Sequence, residues 1–144
     1  MAVDSSVGKT NDHNKTSARE LALQVLFQME FALPIPLNDF IHLYDHKISS
    51  ENQEYAEMLI QGVATDKAKL DQLIQSHSHH WKIERMALVE KNILRMSIFE
   101  MKFATQLMKP SIVINEAVNL AKKYGSSESG GFVNGILDQI NKTV

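Results

Sequence analysis

Residues 86–103 read MALVEKNILRMSIFEMKF, and this stretch decides the fold. At about 100° per residue, its apolar side chains form two helical stripes that lie almost opposite each other. The first stripe contains Ala87, Leu94, Ile98 and Met101, and the second contains Val89, Ile93, Met96 and Phe103. Narrow polar seams separate the stripes, with Lys91, Arg95 and Lys102 on one side and Glu90 and Ser97 on the other. A helix that is apolar on both sides is typical of the centre of a helical bundle.

The segments on either side of this stretch also have helical periodicity. A first helix begins near Ser17, which has capping-box spacing with Glu20. We predict further helices over about 37–47, 52–75 and 110–124, and a last helix that ends at about 141. Pro110 suits the first turn of its helix, and Gly125 suits the C′ position after it. Because no segment alternates with period two between turns, we predict an all-α bundle of about six or seven helices.

The length of 144 residues suits one domain. Residues 1–16 are polar and lack periodicity, which predicts a flexible N-terminal arm. Residues 17–144 are expected to form a single helical domain. The polar segment SHSHHW, residues 76–81, is the expected hinge between two halves, at about 17–76 and 77–144.

The composition excludes several classes of protein. Cysteine is absent, which excludes disulfides, thiolate catalysis and cysteine-ligated zinc. No apolar run approaches the roughly 20 residues that span a bilayer, and the N-terminus has no apolar signal-peptide region. We therefore expect a cytoplasmic protein without membrane contact.

Charge is distributed unevenly along the chain, although its net value is only −2. Residues 1–76 contain six Lys/Arg and eleven Asp/Glu, whereas residues 77–124 contain eight Lys/Arg and four Asp/Glu. A local polar surface for a partner is therefore expected, rather than a globally basic protein.

The sequence lacks the signatures of an enzyme. Motifs for phosphate-binding loops, nucleophile elbows and zinc proteases are absent, so we predict no catalytic residue and no cofactor. His42 and His46 have i, i+4 spacing, and His77, His79 and His80 precede Trp81. Such imidazoles can bind zinc or nickel where other ligands converge, but no zinc-protease glutamate or thiolate accompanies them, so a solvated helix face and a polar hinge are the favoured explanation. We therefore predict no metal site.

Basic and aromatic residues are also compatible with a nucleic-acid surface, although scattered lysines are more often an ordinary solvated surface. Basic side chains pair with phosphate, and an exposed aromatic ring can stack on an unpaired base. The candidates are Lys9, Lys15, Arg19 and Phe27 around the first helix, Lys91, Arg95 and Lys102 on the central helix, and Lys122 and Lys123 near residue 124.

Several segments together resemble the NusB family of transcription antitermination factors. These are SARELALQVLFQME (17–30), HWKIERMALVEKNILR (80–95), VEKNILRMSIFEM (89–101), INEAVNLAKKYG (114–125) and FVNGILDQI (132–140), in the family's order and spacing. The likeness covers about residues 16–142. It implies two three-helix subdomains in a compact α bundle and no catalysis.

The resemblance also implies partners. Family members bind the box A segment of ribosomal RNA leader transcripts together with NusE, a ribosomal protein of the small subunit. The pair joins the elongating RNA polymerase with other Nus factors and promotes processive transcription. Some members form homodimers, so a homodimer is a further expected state.

The RNA-binding residues implied by the family are only partly present. The family's first helix opens with an arginine-rich stretch, which here reads KTSARE (15–20). Arg19 is retained, Thr16 replaces an arginine, and Lys15 is expected to substitute in part. Phe27 stands where the family has a tyrosine near RNA, and Gly131 stands where many members have a lysine. We expect RNA contacts from Lys15, Arg19, Phe27 and Lys122. The intrinsic RNA affinity should be weaker than in arginine-rich members, with more dependence on NusE.

The NusE-binding residues implied by the resemblance are Glu90 and Phe132. Phe132 also lies on the apolar stripe of the last helix, so core packing is an equal alternative. Phe27 is likewise divided between burial and stacking on RNA.

Two other functions remain open at this stage. The chain could be a helical protein-binding adaptor whose RNA face has weakened, or a NusB-like RNA-binding module related to the N-terminal domains of ribosomal RNA methyltransferases. A small metal-dependent enzyme is a third hypothesis that rests only on the histidines.

Overall fold

The structure is a computed structural model that describes residues 15–31 and 48–143. The predicted helix at 37–47, His42, His46 and nearly all of the predicted N-terminal arm lie outside these residues. Within the described ranges the chain forms five α-helices and no strand, which confirms the all-α prediction. No described helix is long and apolar enough to cross a membrane.

The helices follow the predicted order. They are α1 (Thr16–Met29), α2 (Ser50–Ser76), α3 (Leu88–Ile98), α4 (Pro110–Tyr124) and α5 (Ser129–Thr143). A short 3₁₀-helix, Ile83–Arg85, precedes α3, and a π-helical segment, Phe99–Phe103, continues it. α2 is kinked at Asp66, whose φ and ψ are −101° and 16°.

The starts of the helices show which local signals operate. Ser49 caps α2 by accepting a hydrogen bond from the backbone N–H of Asn52 at 3.1 Å. Pro110 opens α4 in the position predicted for it. The predicted capping box of Ser17 does not cap α1, because the helix already begins at Thr16 and Lys15 holds the N-cap position.

α3 lies at the centre of the bundle, as its two apolar stripes predict. It packs against α1, α2, α4 and α5. Every residue from 92 to 101 is buried, including Leu94 and Ile98 from one stripe and Ile93 and Met96 from the other. α3 thus joins elements from both predicted halves of the chain.

Three glycines differ in what they do for packing. A Cβ at Gly62 would lie 2.1 Å from Phe99 Cζ, so Gly62 lets the phenyl ring pack directly on α2. Gly125 follows α4, as predicted, and is in an extended conformation with φ of −102°. It is needed for space, because a Cβ there would lie 2.7 Å from the carbonyl oxygen of Ala121. Gly135, on α5, is not required for close packing of the helices, since a Cβ there would meet nothing within 4 Å.

Candidate functional site

Arg19 on α1 points into the protein and is only 2% exposed. Its Nε and Nη2 donate to the carboxylate of Glu100, at 2.9 Å to Oε2 and 2.8 Å to Oε1. Its Nη1 donates to Oε1 of Glu116 at 3.0 Å. Burial alone would lower the pKa of Arg19, but the hydrogen bond and charge of Glu100 raise it. The guanidinium is therefore held, charged, between α1, α4 and the π-helical segment.

Tyr55 on α2 completes this cluster. Its hydroxyl donates to Oε1 of Glu100 at 2.5 Å, and its pKa is raised by burial and by the charge of Glu100. Thr16 donates a short hydrogen bond to Glu116. We call Arg19, Tyr55, Glu100 and Glu116 the buried polar cluster, and it connects α1, α2 and α4 with the continuation of α3.

Arg95, from the predicted basic seam of α3, is also buried within the protein. It is 4% exposed and donates to Asp71 at 2.7 and 2.9 Å and to Glu30 at 3.1 Å. Burial would raise the pKa of Glu30, but the nearby charge of Lys67 and the contact with Arg95 lower it. Lys123 is also engaged, at 2.6 Å from Glu20. Of the three basic residues of the seam, Arg95 is thus held in an internal connection, whereas Lys91 and Lys102 are half-buried.

The remaining predicted RNA residues are more accessible. Lys15 is half-buried, with its ammonium 5.1 Å from the centre of the Tyr55 ring. Phe27 is 37% exposed and packs against the exposed Phe31, with ring centres 5.2 Å apart. Phe27 is therefore a surface residue, available to a partner. It lies twelve residues after Lys15, or about 18 Å along the helix axis.

Lys122 lies beside a shallow groove between α4 and α5. The groove has a volume of about 470 Å³ and is lined by Ser111, Ile114, Asn115, Val118, Lys122, Gly130, Gly131 and Asn134. A Cβ at Gly130 would lie 3.2 Å from Lys122 Cγ, so this glycine lets the lysine lie against α5. Gly131 is open, because a Cβ there would meet nothing within 4 Å. Lys122 makes no ion pair within the described part of the chain.

Glu90 and Phe132, the two predicted partner residues, are connected through Ser129, which lies on α5 with Phe132 and contacts Glu90. Ser129 is buried and donates to Oε2 of Glu90 at 2.7 Å, one helical turn before Phe132. Phe132 is half-buried and packs against the core, and its outer edge meets Trp81 with ring centres 6.0 Å apart. Both roles weighed for Phe132 are thus compatible with its position.

The histidines do not converge on a common point among the described residues. His77 bridges α2 and α5 through Leu73 O at 2.9 Å and Thr143 Oγ1 at 2.7 Å, while His79 and His80 are exposed. Across residues 15–31 and 48–143, no group of three or more metal-ligating side chains is placed to hold an ion.

Sequence reasoning missed the acidic half of the buried polar cluster. A signal for Glu100 existed, because it lies within the second apolar stripe of residues 86–103, where a lone carboxylate requires a partner. Glu116 lies at the edge of the polar face of α4 and gave no such signal. The donors of Arg19 face Glu100 and Glu116 rather than the solvent. A contact between Arg19 and RNA stays a prediction.

Comparison with the sequences of known proteins identifies the family of the chain. The NusB family profile matches residues 16–142. The transcription antitermination protein NusB of Bdellovibrio bacteriovorus is 50% identical over 128 residues, which cover 89% of this chain and 95% of that protein. The NusB of Myxococcus xanthus is 36% identical, over 88% of this chain and 93% of its own.

Solved structures agree as well. T. maritima NusB superposes with a TM-score of 0.78 at 32% identity and covers 90% of this chain and 91% of its own. A structure of the antitermination factors NusB and NusE in complex with dsRNA gives a TM-score of 0.80 at 29% identity, over 92% of this chain and 98% of that one. From the matching fold, family profile and relatives, we conclude that the chain belongs to the NusB family.

Proposed function

We propose that this protein is a transcription antitermination factor that binds RNA together with NusE. The observation that carries the proposal is the likeness, over 92% of the chain, to NusB in a complex with NusE and dsRNA. Its relatives are named for the same role, at up to 50% identity. We further propose that its RNA is the box A segment of ribosomal RNA leaders, and that it acts with other Nus factors on elongating RNA polymerase in the cytoplasm.

The accessible residues support an RNA side that includes Lys15, Phe27 and Lys122. Lys122 offers an exposed ammonium, with no ion pair to the described residues, beside the α4–α5 groove, whose asparagines can hydrogen-bond to RNA. Phe27 offers a ring face for an unpaired base. We assign NusE to the side of Glu90 and Phe132. In this function the protein recognises and positions its partners, and we propose no catalytic step, metal or cofactor.

A protein-binding adaptor with a weakened RNA face is the second candidate. The observation in its favour is that two positions where the resemblance implies RNA contacts present no exposed cation: Arg19 is buried in ion pairs, and Gly131 has no side chain. Such an adaptor would bind NusE and gain nothing from RNA.

One titration separates the two candidates. Labelled box A RNA and a scrambled control are titrated with the protein, with and without NusE, at two salt concentrations. Binding that prefers box A and is strengthened by NusE supports the proposal. Binding to NusE without any contribution from RNA supports the adaptor, and binding to neither overturns both.

Single variants then assign the two sides. Lys122→Ala should weaken RNA binding and reduce the salt slope by about 0.7–0.9. Lys142→Ala removes the same charge at the far end of α5 and should leave the slope unchanged. Glu90→Lys should weaken NusE binding and leave RNA binding without NusE intact. Equal losses of RNA affinity from Lys122→Ala and Lys142→Ala would show that the α4–α5 groove is not part of the RNA-binding surface.

A further inference from the structure

Trp81 is the only tryptophan in the chain, and it is 60% exposed. An indole ring is among the largest apolar groups that a protein carries, and its exposure forgoes the stabilisation that burial would supply. Tryptophan is also strongly enriched among residues that dominate the energy of protein–protein contacts. Its position on the surface therefore suggests a role in binding.

The backbone around Trp81 is held firmly, so the ring is presented rather than left loose. The side-chain amide of Gln75 donates to Trp81 O and accepts from the backbone N–H of Ile83, both at 2.9 Å. The backbone N–H of Trp81 donates to Ser78 O at 2.9 Å. Gln75 thus fixes the chain on both sides of Lys82. A fixed aromatic residue loses little conformational entropy when it binds.

The neighbours of Trp81 give the surface its chemistry. Trp81 meets Phe132 edge to face, at an interplanar angle of 84°. One turn before Phe132, Ser129 holds one carboxylate oxygen of Glu90 and accepts a hydrogen bond from the backbone N–H of Ser126 at 3.0 Å. The other oxygen, Oε1 of Glu90, makes no hydrogen bond within the described residues. Trp81 contacts Phe132, and Glu90 is held through Ser129 one turn earlier on α5. We call Trp81, Phe132 and Glu90 the aromatic–acidic surface.

We propose that Trp81 belongs to the NusE-binding site, where the aromatic–acidic surface receives a basic side chain of NusE. The inference rests on the proposed function and adds Trp81 to it. A lysine or arginine is attracted by the face of an indole ring and pairs with a carboxylate, so the two groups favour the same kind of partner side chain. The fixed backbone at Trp81, the contact of its ring with Phe132 and the oriented carboxylate of Glu90 prepare this surface for contact before NusE arrives.

RNA is the other macromolecule that an indole could engage. Lys82 follows Trp81 in the sequence, and an exposed ring can stack on an unpaired base. The carboxylate of Glu90 opposes this, because it repels phosphate groups approaching the same patch. Charge therefore favours a basic protein side chain over RNA.

Affinity measurements with NusE test the role of Trp81. Trp81→Ala should raise the Kd for NusE about tenfold or more, whereas Trp81→Phe should raise it much less. Leu107→Ala is the matched control, since Leu107 is 57% exposed on the loop between the π-helical segment and α4. It should leave the Kd unchanged. Far-UV circular dichroism checks that each variant keeps its helical fold.

A second measurement needs no substitution. Incorporation of 5-fluorotryptophan gives a single ¹⁹F resonance, because the chain has one tryptophan. The resonance should shift when NusE is added and should not shift with box A RNA alone. A shift with RNA alone, together with weaker RNA binding by Trp81→Ala, would overturn the proposal in favour of stacking on RNA.

The outcomes distinguish this inference from the proposed function. If the unmodified protein binds NusE and Trp81→Ala binds equally well, Trp81 lies outside the site and the proposed function stands. If the unmodified protein does not bind NusE, the proposed function itself fails.

Discussion

At the scale of single residues, Arg19 illustrates how a side chain expected at a partner surface serves the interior. Its guanidinium donates to both carboxylate oxygens of Glu100 and to Oε1 of Glu116. A buried ion pair adds little net stability over apolar packing, but removal of one partner leaves an unpaired charge in a poorly solvated place. Arg19 therefore matters most for what its absence would do to Glu100.

We predict that Arg19→Ala lowers the free energy of unfolding by about 3–5 kcal/mol. The reason is that Glu100, which is 1% exposed, would lose the guanidinium that neutralises it. Urea denaturation measures the change. Lys15→Ala is the control, because this half-buried lysine contacts the face of the Tyr55 ring but makes no ion pair with the described carboxylates, and it should cost less than about 1 kcal/mol. If Arg19→Ala keeps full stability but binds RNA more weakly, the RNA contact expected from the sequence would be the correct role.

At the scale of elements, the start of α5 combines packing with an open surface. Gly130 is buried against Lys122, so its lack of a side chain has a structural reason. Gly131 beside it is exposed, and packing gives no reason for a glycine there. The resemblance implies a lysine at this position in many family members. The α4–α5 groove therefore has one cation fewer beside it than the resemblance implies, and there is space at residue 131 for a longer side chain.

We predict that Gly131→Lys strengthens RNA binding and steepens its salt slope by about 0.7–0.9. Stability should change by less than about 1 kcal/mol, because a lysine has better helix propensity than glycine but adds a positive charge near the helix N-terminus. Gly135→Lys adds the same charge one turn further along α5, at another open position. Salt-dependent RNA titrations should show the larger gain at residue 131. Equal gains would indicate that net charge, rather than the groove, sets the affinity.

At the scale of the whole molecule, the uneven charge of the chain connects its parts. The acidic first segment and the basic later one meet across helices, where Arg95 pairs with Asp71 and Glu30, and Lys123 pairs with Glu20. Two of the eight basic residues between 77 and 124 are thus paired with acidic residues of the first segment, and Arg95 is buried in doing so. α3 adds an apolar connection, because it packs against helices from both ends of the chain.

We predict that residues 17–144 unfold in one cooperative step, because neither predicted half can bury its apolar face without α3. Denaturation followed by circular dichroism, which reports helix, and by Trp81 fluorescence should give coincident transitions. Asp71→Asn should lower the midpoint without separating the two transitions. Two distinct midpoints in the unmodified protein would show that the halves at 17–76 and 77–144 are independent units.

The order of the helices could be predicted because periodicity is local. The two apolar stripes of residues 86–103 are visible in eighteen consecutive residues, and they were enough to predict a central helix. Pro110 likewise predicts the start of α4 by its own backbone constraints. Motif order along the chain was also sufficient to recognise the family.

The destination of each charged side chain was decided only by tertiary structure. Arg19 and Glu100 are 81 residues apart in sequence, as Arg95 and Asp71 are 24 apart, and no local pattern pairs them. Helical periodicity shows which face of a helix is apolar. It does not show which carboxylate of another helix will pair with a basic residue once the helices pack. Sequence therefore determined the helices and their order, whereas packing decided that Arg19 and Arg95 turn inward while Lys122, Phe27 and Trp81 remain at the surface.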